Sequence, residues 1–305
     1  MFLRSPRLLL TGYSGLVGRS LARILQTRGI YVVGLSRTQD ASSCLTVPEA
    51  HTCDLSSQDE VLQFISNCEP CDYIVHLAAN TKFSDSLIRL LSANCVATQS
   101  IVNIANRWKS RSLIYMSSLP LIGQPTQLPV TETHPVKPQT QYHISKYFGE
   151  KIILGNLHSS IKVAIFRITS PIGKELPKDK FLSYLVHYSI LGLPIALHGT
   201  GSRTQNYLDL RDLAEAVSSF LFSSQCTREV FNIAGSDSIS NICLAELCLN
   251  HLNSSSNILL SGLPDPDDHL CWQVSIDKAR ELLGYSPKYT FPDMIDLIAA
   301  EMIYQ

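Results

Sequence analysis

No stretch of this sequence approaches the ~20 consecutive apolar residues that a bilayer-spanning helix needs, so a membrane span is not expected. Charge of one sign is lacking too. Lys and Arg number 25 against 26 Asp and Glu, a net charge of -1, with no long charge run. That balance removes the electrostatic case for a nucleic-acid or anionic-membrane partner. A disulfide framework is missing: the nine cysteines are scattered and odd in number, which argues against a stapled secreted fold. The N-terminus carries Arg4, Pro6 and Arg7, and its short apolar run feeds straight into a glycine turn. It reads as a first strand and not a signal peptide, which leaves the cytoplasm as the default compartment. Cys68 and Cys71 form a single C-x-x-C before the strand candidate Asp72–Leu77. A redox role needs a helix N-terminus to lower the thiol pKa. A metal needs two more ligands at suitable spacing. Neither is visible, so the pair reads as incidental and no metal is expected.

What is present is an ordinary globular composition, 45% hydrophobic and 17% charged over 305 residues, enough for one large or two smaller domains. Short apolar runs at Arg7–Leu10, Tyr31–Leu35, Tyr73–Leu77, Leu113–Met116 and Val163–Phe166 alternate with amphipathic segments such as Val17–Gln26 and Ala93–Trp108. Strand and helix in alternation predict an α/β fold, a doubly wound parallel sheet that binds ligands at the carboxyl ends of its strands. After about Arg167 prolines and glycines break the pattern. A helix at Asp212–Phe222, a strand at Val230–Ile233 and a polar loop from Asn253 to Asp268 follow. We therefore expect a dinucleotide-binding domain over 1–166 plus about 205–233. A smaller C-terminal α/β substrate domain is expected over about 167–204 and 234–305.

The first strand runs into Thr11-Gly12-Tyr13-Ser14-Gly15-Leu16-Val17-Gly18. Gly12 permits the turn, Gly15 lets the backbone approach a pyrophosphate, and Gly18 lets the helix pack closely on the strand. The helix start, with Ser14, Leu16 and Val17, offers N–H groups to phosphates. An acidic residue at the end of the second strand would hold a ribose 2′-hydroxyl; Ser36 and Arg37 stand there instead and favour NADP over NAD. Asp54, followed by Leu55, is placed to accept from an adenine amino group or to cap the next helix.

Tyr142 and Lys146 are four apart, on one face of a helix. A phenol titrates near 10, and a neighbouring ammonium lowers that value, which would let Tyr142 act as acid or base near neutral pH. Ser117 and Ser118 end the apolar strand before them, with Ser118 placed to hydrogen-bond a substrate oxygen.

Glycine turn, serine and Tyr-x-x-x-Lys together resemble the extended short-chain dehydrogenase/reductase family, of the NAD-dependent epimerase/dehydratase type. His76-Leu77-Ala78-Ala79 matches the family's segment after the fourth strand. Asn94-Cys95-Val96-Ala97-Thr98 is similar to its Asn-Val-x-Gly-Thr helix start, with Ala97 in place of Gly. The loop from Arg167 to Gly173 carries Ser170 where Asn is usual. Asn206 to Ala214 resembles the segment that re-enters the sheet, and Ser275–Arg280 with Leu283–Pro287 its C-terminal signature. The resemblance implies a Rossmann domain, a nicotinamide cofactor, a homodimer built on two long helices per subunit, and a Ser118–Tyr142–Lys146 triad. It further implies cofactor contacts at Leu77, Ala78, Ala79, Asn94, Ser117 and Ile168, and substrate contacts at Thr81, Ser170, Arg203 and Gln205.

Sugar dehydratases of the family carry Asp-Glu after the serine, because elimination needs its own acid and base. Leu119 and Pro120 stand there here and disfavour that reaction. Two readings of the triad remain: NADPH-dependent reduction of a 4-keto sugar nucleotide, to which Ser36-Arg37 inclines, and a 4-epimerase that retains NAD. Relatives acting on sugar nucleotides place an Arg where Gln205 stands and another in the C-terminal loop, where Ser261–Asp265 has none. Losing two such contacts costs a few kcal/mol unless other groups, Arg203 among them, replace them. A non-nucleotide carbonyl substrate and a non-catalytic NADP-binding protein are therefore kept as further alternatives.

Overall fold

The computed structural model describes residues 5–38, 47–223 and 228–303; Arg4 lies outside them. Its centre is a sheet of seven parallel strands, built from the runs that read as continuous apolar stretches because both their faces are covered. In chain order these begin β1 (Arg7–Thr11), β2 (Tyr31–Ser36), β3 (Glu49–Thr52) and β4 (Tyr73–His76). Helix α1 (Leu16–Thr27) follows β1, α2 (Gln58–Asn67) follows β3, and α3 (Leu87–Leu91) and α4 (Ala97–Trp108) follow β4. Then come β5 (Ser112–Ser118), α5 (Gln141–Asn156) and β6 (Lys162–Ile168).

The remainder forms a smaller lobe with returns to the sheet. It comprises β7 (Ser170–Ile172), α6 (Phe181–Leu191), β8 (Ile195–Leu197), β9 (Thr204–Asp209), α7 (Leu210–Phe222) and β10 (Arg228–Ile233). After these come β11 (Ser238–Ser240), α8 (Asn241–His251), β12 (Ile258–Leu260), α9 (Asp277–Leu283) and α10 (Phe291–Ile303). The main sheet is ordered β10-β6-β5-β4-β1-β2-β3. The chain winds outward in one direction through β1–β3 and in the other from β4, so the order reverses between β1 and β4. A crevice opens there at the carboxyl ends. Thr11 pairs with Leu35 on one side and His76 on the other, which sets the three strand ends level.

Side chains alternate across each strand. Leu8, Leu10, Val75, Ile114 and Phe166 face the layer of α1, α7 and α9. Leu9, Val33, Ile74, Leu113 and Val163 face α2, α4 and α5. Each such Leu or Val, fully removed from water, contributes roughly 1.5–3 kcal/mol. The lobe has its own core, in which Leu185 and Val186 of α6 meet Leu244, Ile295 and Ile298.

Three sequence expectations change. Asn206–Asp209 does not re-enter the main sheet: β9 pairs with β7 and β11 in a separate three-stranded sheet, and the return begins at α7. The C-terminal part is not all substrate lobe, because Ile276, Ala279, Leu283 and Tyr285 join the main core. The Asp212 carboxylate fixes that return by accepting from the backbone N–H groups of Lys288 (2.9 Å) and Tyr289 (3.2 Å). Finally, Leu87–Trp108 is one helical run of 22 residues, long and apolar enough by length and composition to cross a bilayer. Its Ile101, Val102, Ile104 and Ala105 are fully buried in the sheet's helix layer, while Ile88 and Val96 nearer its start are exposed. A π-helical turn at Ser92–Val96 joins its two halves.

Candidate active site

Gly12 closes the first turn with φ +68°, and its N–H donates to the Leu35 carbonyl at 2.8 Å. A Cβ on Gly18 would lie 2.2 Å from the Gly12 oxygen and 2.5 Å from the Tyr13 Cα, so only glycine lets α1 sit this close to β1. Gly15 differs. A Cβ there would meet the Gly12 oxygen at 3.4 Å, ordinary contact, so packing does not demand glycine. What a side chain would fill is the open cleft. Gly15 is the N-cap of α1, with no side-chain cap and no acidic residue in the first turn. The helix therefore offers uncapped N–H groups and its positive end to an anion. Ser14, Leu16 and Val17 line the same cleft. These residues fit a dinucleotide's pyrophosphate.

At the end of β2 the Ser36 hydroxyl donates to the Thr38 carbonyl at 2.7 Å, while exposed Arg37 borders the cleft. Among the described residues, no carboxylate directly follows β2 at the position a ribose 2′-hydroxyl would require. Asp54, just past β3 and next to the end of β2, lines the cleft beside Leu55. One of its oxygens accepts from the Ser56 N–H (2.8 Å) and hydroxyl (2.6 Å), and these bonds hold its carboxyl below the usual carboxylate range. It does not cap α2; Ser57 does, through the Glu60 N–H.

Leu77, Ala78, Ala79 and Thr81 form the floor beyond β4. Asn94 does not line the cleft with them. It is buried in the π turn, where it donates to the Ser145 hydroxyl (2.8 Å) and the Asn80 carbonyl (3.1 Å) and accepts from the Asn80 N–H (2.7 Å). Its amide straps the floor loop to α5, a positioning arrangement in place of the expected cofactor contact. Ser117 is likewise turned inward. Its hydroxyl donates to Glu150 at 2.6 Å, and that carboxylate holds Arg167 in a buried bidentate pair at 2.8 and 3.0 Å.

Thr140 caps α5 through the His143 N–H, which sets Tyr142 in its first turn and Lys146 one turn later. A Cβ on Gly149 would lie 2.0 Å from the Tyr115 oxygen, so glycine there lets α5 press onto β5. Ser118, Tyr142 and Lys146 share one cleft wall. Among the described residues the Ser118 hydroxyl has no hydrogen-bond partner, so it is available to a ligand. Lys146 is 2% exposed, with Nζ 4.2 Å above the Tyr115 ring. Burial drives its pKa down to about 7, opposed in part by Glu150 and Cys95.

The expected lowering of the Tyr142 pKa is absent. Burial pushes the phenol up to about 12. The Phe83 and His143 rings pack against it, with centroids 5.1 and 5.2 Å from its own. Lys146 meanwhile lies over a different ring. The phenol is therefore held protonated, the form that donates to a carbonyl oxygen.

Past Ile168 and Ser170 the cleft runs into the small lobe, for a total of about 1540 Å³. That exceeds the roughly 300–1,000 Å³ of a single small-ligand site and suits two ligands side by side. Arg203 reaches the cleft but is drawn toward Asp267 (3.3 Å) and Asp265 (3.9 Å). Gln205 donates to Asn241 at 2.9 Å. Sequence reasoning missed Phe83, Lys180, Asp267 and Trp272, all on the wall. They come from separate segments that no spacing connects. Nothing in this cleft supplies an acid–base pair after Ser118: Leu119 is buried against Leu121, Ile122 and Val130.

The sequence pattern of the NAD dependent epimerase/dehydratase family matches residues 8–234. A putative UDP-glucose 4-epimerase of Methanocaldococcus jannaschii is 23% identical over 290 residues, covering 92% of this chain and 93% of that protein. A dTDP-glucose 4,6-dehydratase of Streptomyces niveus is 23% identical, covering 94% and 90%. Among solved structures, the UDP-glucose 4-epimerase of Thermotoga maritima with UDP-glucose superposes with a TM-score of 0.86 at 17% identity, covering 98% of this chain and 99% of that one. The Bordetella bronchiseptica enzyme WbmG, in complex with NAD and UDP, gives 0.85 at 18% identity, covering 100% and 96%.

Proposed function

This chain belongs to the NAD-dependent epimerase/dehydratase family, and from that premise we propose that it is a sugar-nucleotide 4-epimerase working on a retained NAD. The observation that carries the reading is the triad without a following carboxylate. Ser118, Tyr142 and Lys146 share the cleft, and Leu119 and Pro120 stand where elimination would need its acid and base. The similar enzymes crystallised with UDP-glucose or with NAD and UDP support the substrate and cofactor classes.

A bound nicotinamide dinucleotide supplies the hydride acceptor and donor. Tyr142 exchanges a proton with the exocyclic oxygen on C4 of the sugar, which alternates between alcohol and ketone, and Ser118 hydrogen-bonds the same oxygen. Lys146 presents its ammonium to the cofactor ribose. Phe83 packs against the Tyr142 ring at the mouth of the site. Gly12, Gly15 and Gly18 seat the pyrophosphate at the start of α1. Lys180 and Arg203, both lining the cleft with the small-lobe residues, are the cations we assign to the diphosphate of the sugar nucleotide. Exposed Ile88, Val96 and Phe148, on α3, the π turn and α5, support a homodimer through these helices, and light scattering on the purified protein tests it.

One observation favours a second reading, NADPH-dependent reduction of a 4-keto sugar nucleotide. Arg37 borders the cleft where a 2′-phosphate would sit, and its guanidinium is suited to bind one. Denaturing the purified protein and identifying the released dinucleotide separates the two. Released NAD, with epimerisation of a UDP-hexose and no added cofactor, is the expected result. Empty protein that consumes NADPH with a 4-keto sugar nucleotide replaces the first reading by the second. Protein that binds neither dinucleotide overturns both.

A further inference from the structure

Glu49 and His51 stand two apart on β3 and so share one face of the edge strand. Helix α2 covers that face and delivers Cys68 at its end, with Cys71 just before β4. The fold thus supplies the two further ligands that the C-x-x-C lacks in sequence. His51 Nε2 lies 2.8 Å from Glu49 Oε1, and Cys68 Sγ lies 3.8 Å from the same oxygen. One ligand atom from each residue falls within 4.8 Å of the other two. The Cys68 and Cys71 thiols converge on one acceptor, both donating to the Glu69 carbonyl, at 3.4 and 3.8 Å. Both cysteines are buried, and none of the four residues lines the catalytic cleft.

We infer that Cys68, Cys71, His51 and Glu49 form a structural site for a thiophilic divalent cation of the zinc type. Metal–sulfur bonds of about 2.3 Å and metal–nitrogen bonds of about 2.0–2.1 Å set tetrahedral ligand atoms roughly 3–4 Å apart, close to the 2.8 and 3.8 Å separations among Glu49, His51 and Cys68. Binding releases the two thiol protons to solvent, and each sulfur bonds the metal as thiolate without any redox change. Neutral His51 donates a ring nitrogen; its ring is held edge-on to Phe64 with centroids 5.3 Å apart. Two thiolates and the Glu49 carboxylate then balance the dication together with Arg7, whose guanidinium bonds both Glu49 oxygens at 2.8 and 3.0 Å. That pairing satisfies the demand that buried charge be compensated and orients the carboxylate from outside the ligand set. The metal would pin the edge strand β3 to the ends of α2 and β4.

Cobalt(II) titration of the full chain, stripped with chelator and kept reduced, tests this. One equivalent should give a thiolate-to-cobalt charge-transfer band and the visible bands of tetrahedral cobalt, and zinc should bleach both. Cys68→Ser/Cys71→Ser should remove the charge-transfer band while dinucleotide binding shows that the variant is folded. His51→Ala should weaken cobalt binding at least ~10-fold. A wild-type chain with no thiolate band, or a band that survives in the double serine variant, overturns the site. So does a Cys68–Cys71 disulfide in protein isolated without reductant.

Discussion

Replacing Lys146 with methionine should stabilise the ligand-free protein while destroying its activity. The ammonium titrates near 10.5 in an unfolded chain and at about 7 here. At about 1.4 kcal/mol per decade, holding it protonated in the fold costs about 4–5 kcal/mol. The sign follows from linkage: the folded pKa lies below the unfolded one, so the destabilisation is complete below about pH 7. It fades as pH rises toward 10.5. Methionine fills similar volume without charge. It forfeits the contact with the Tyr115 ring, about 1–2 kcal/mol, and water in the open cleft already screens part of the charge. The net gain should be roughly 1–3 kcal/mol, or about 2–10 °C in Tm for a chain of this size. Calorimetry of both proteins between about pH 6.5 and 9.5 measures it. The gap should be widest at the acidic end and narrow steadily upward. A variant that melts below the wild type, or a gap that does not change with pH, refutes the reasoning.

The remaining predictions concern the cofactor cradle and its support. Gly18→Ala forces a Cβ against the Gly12 and Tyr13 backbone; it should cost at least about 2–3 kcal/mol and abolish dinucleotide retention, read by denaturant melts and by assay of released cofactor. Glu150→Leu strands the buried Arg167 guanidinium and should destabilise by roughly 3–5 kcal/mol in the same melts. Arg37→Ser should weaken NADPH about 10-fold or more and leave NADH unchanged if the guanidinium meets a 2′-phosphate; equal loss for both, by calorimetric titration, removes that role.

Central strands were legible because burial on both faces writes them as unbroken apolar runs, as in Leu8-Leu9-Leu10. The edge strand β3, Glu49-Ala50-His51-Thr52, has no such run, since among the described residues no further strand lies beyond it. The three-residue strands β7, β8, β11 and β12 are too short for a period to show. Spacing placed Tyr142 and Lys146 on one helix face, but the raised pKa of the phenol comes from its burial in the folded cleft, beside Phe83 from a loop far away in sequence. The Asn94 motif was visible, yet the π turn that aims its amide at Ser145 and Asn80 has no sequence pattern of its own. Thr11 and His76 show how the site is held from beneath: the Thr11 hydroxyl lies 2.7 Å from His76 Nδ1 and accepts from the Ala78 N–H at 3.1 Å, fixing the cleft floor to the first strand.

The central claim is that Tyr142 moves the proton while a retained dinucleotide moves the hydride. Turnover of a panel of UDP- and dTDP-hexoses by wild type and Tyr142→Phe, with bound dinucleotide quantified in both, tests it most directly. The account predicts that the variant loses about 10²–10⁴-fold in kcat and keeps its dinucleotide. Equal turnover by the two proteins would contradict it.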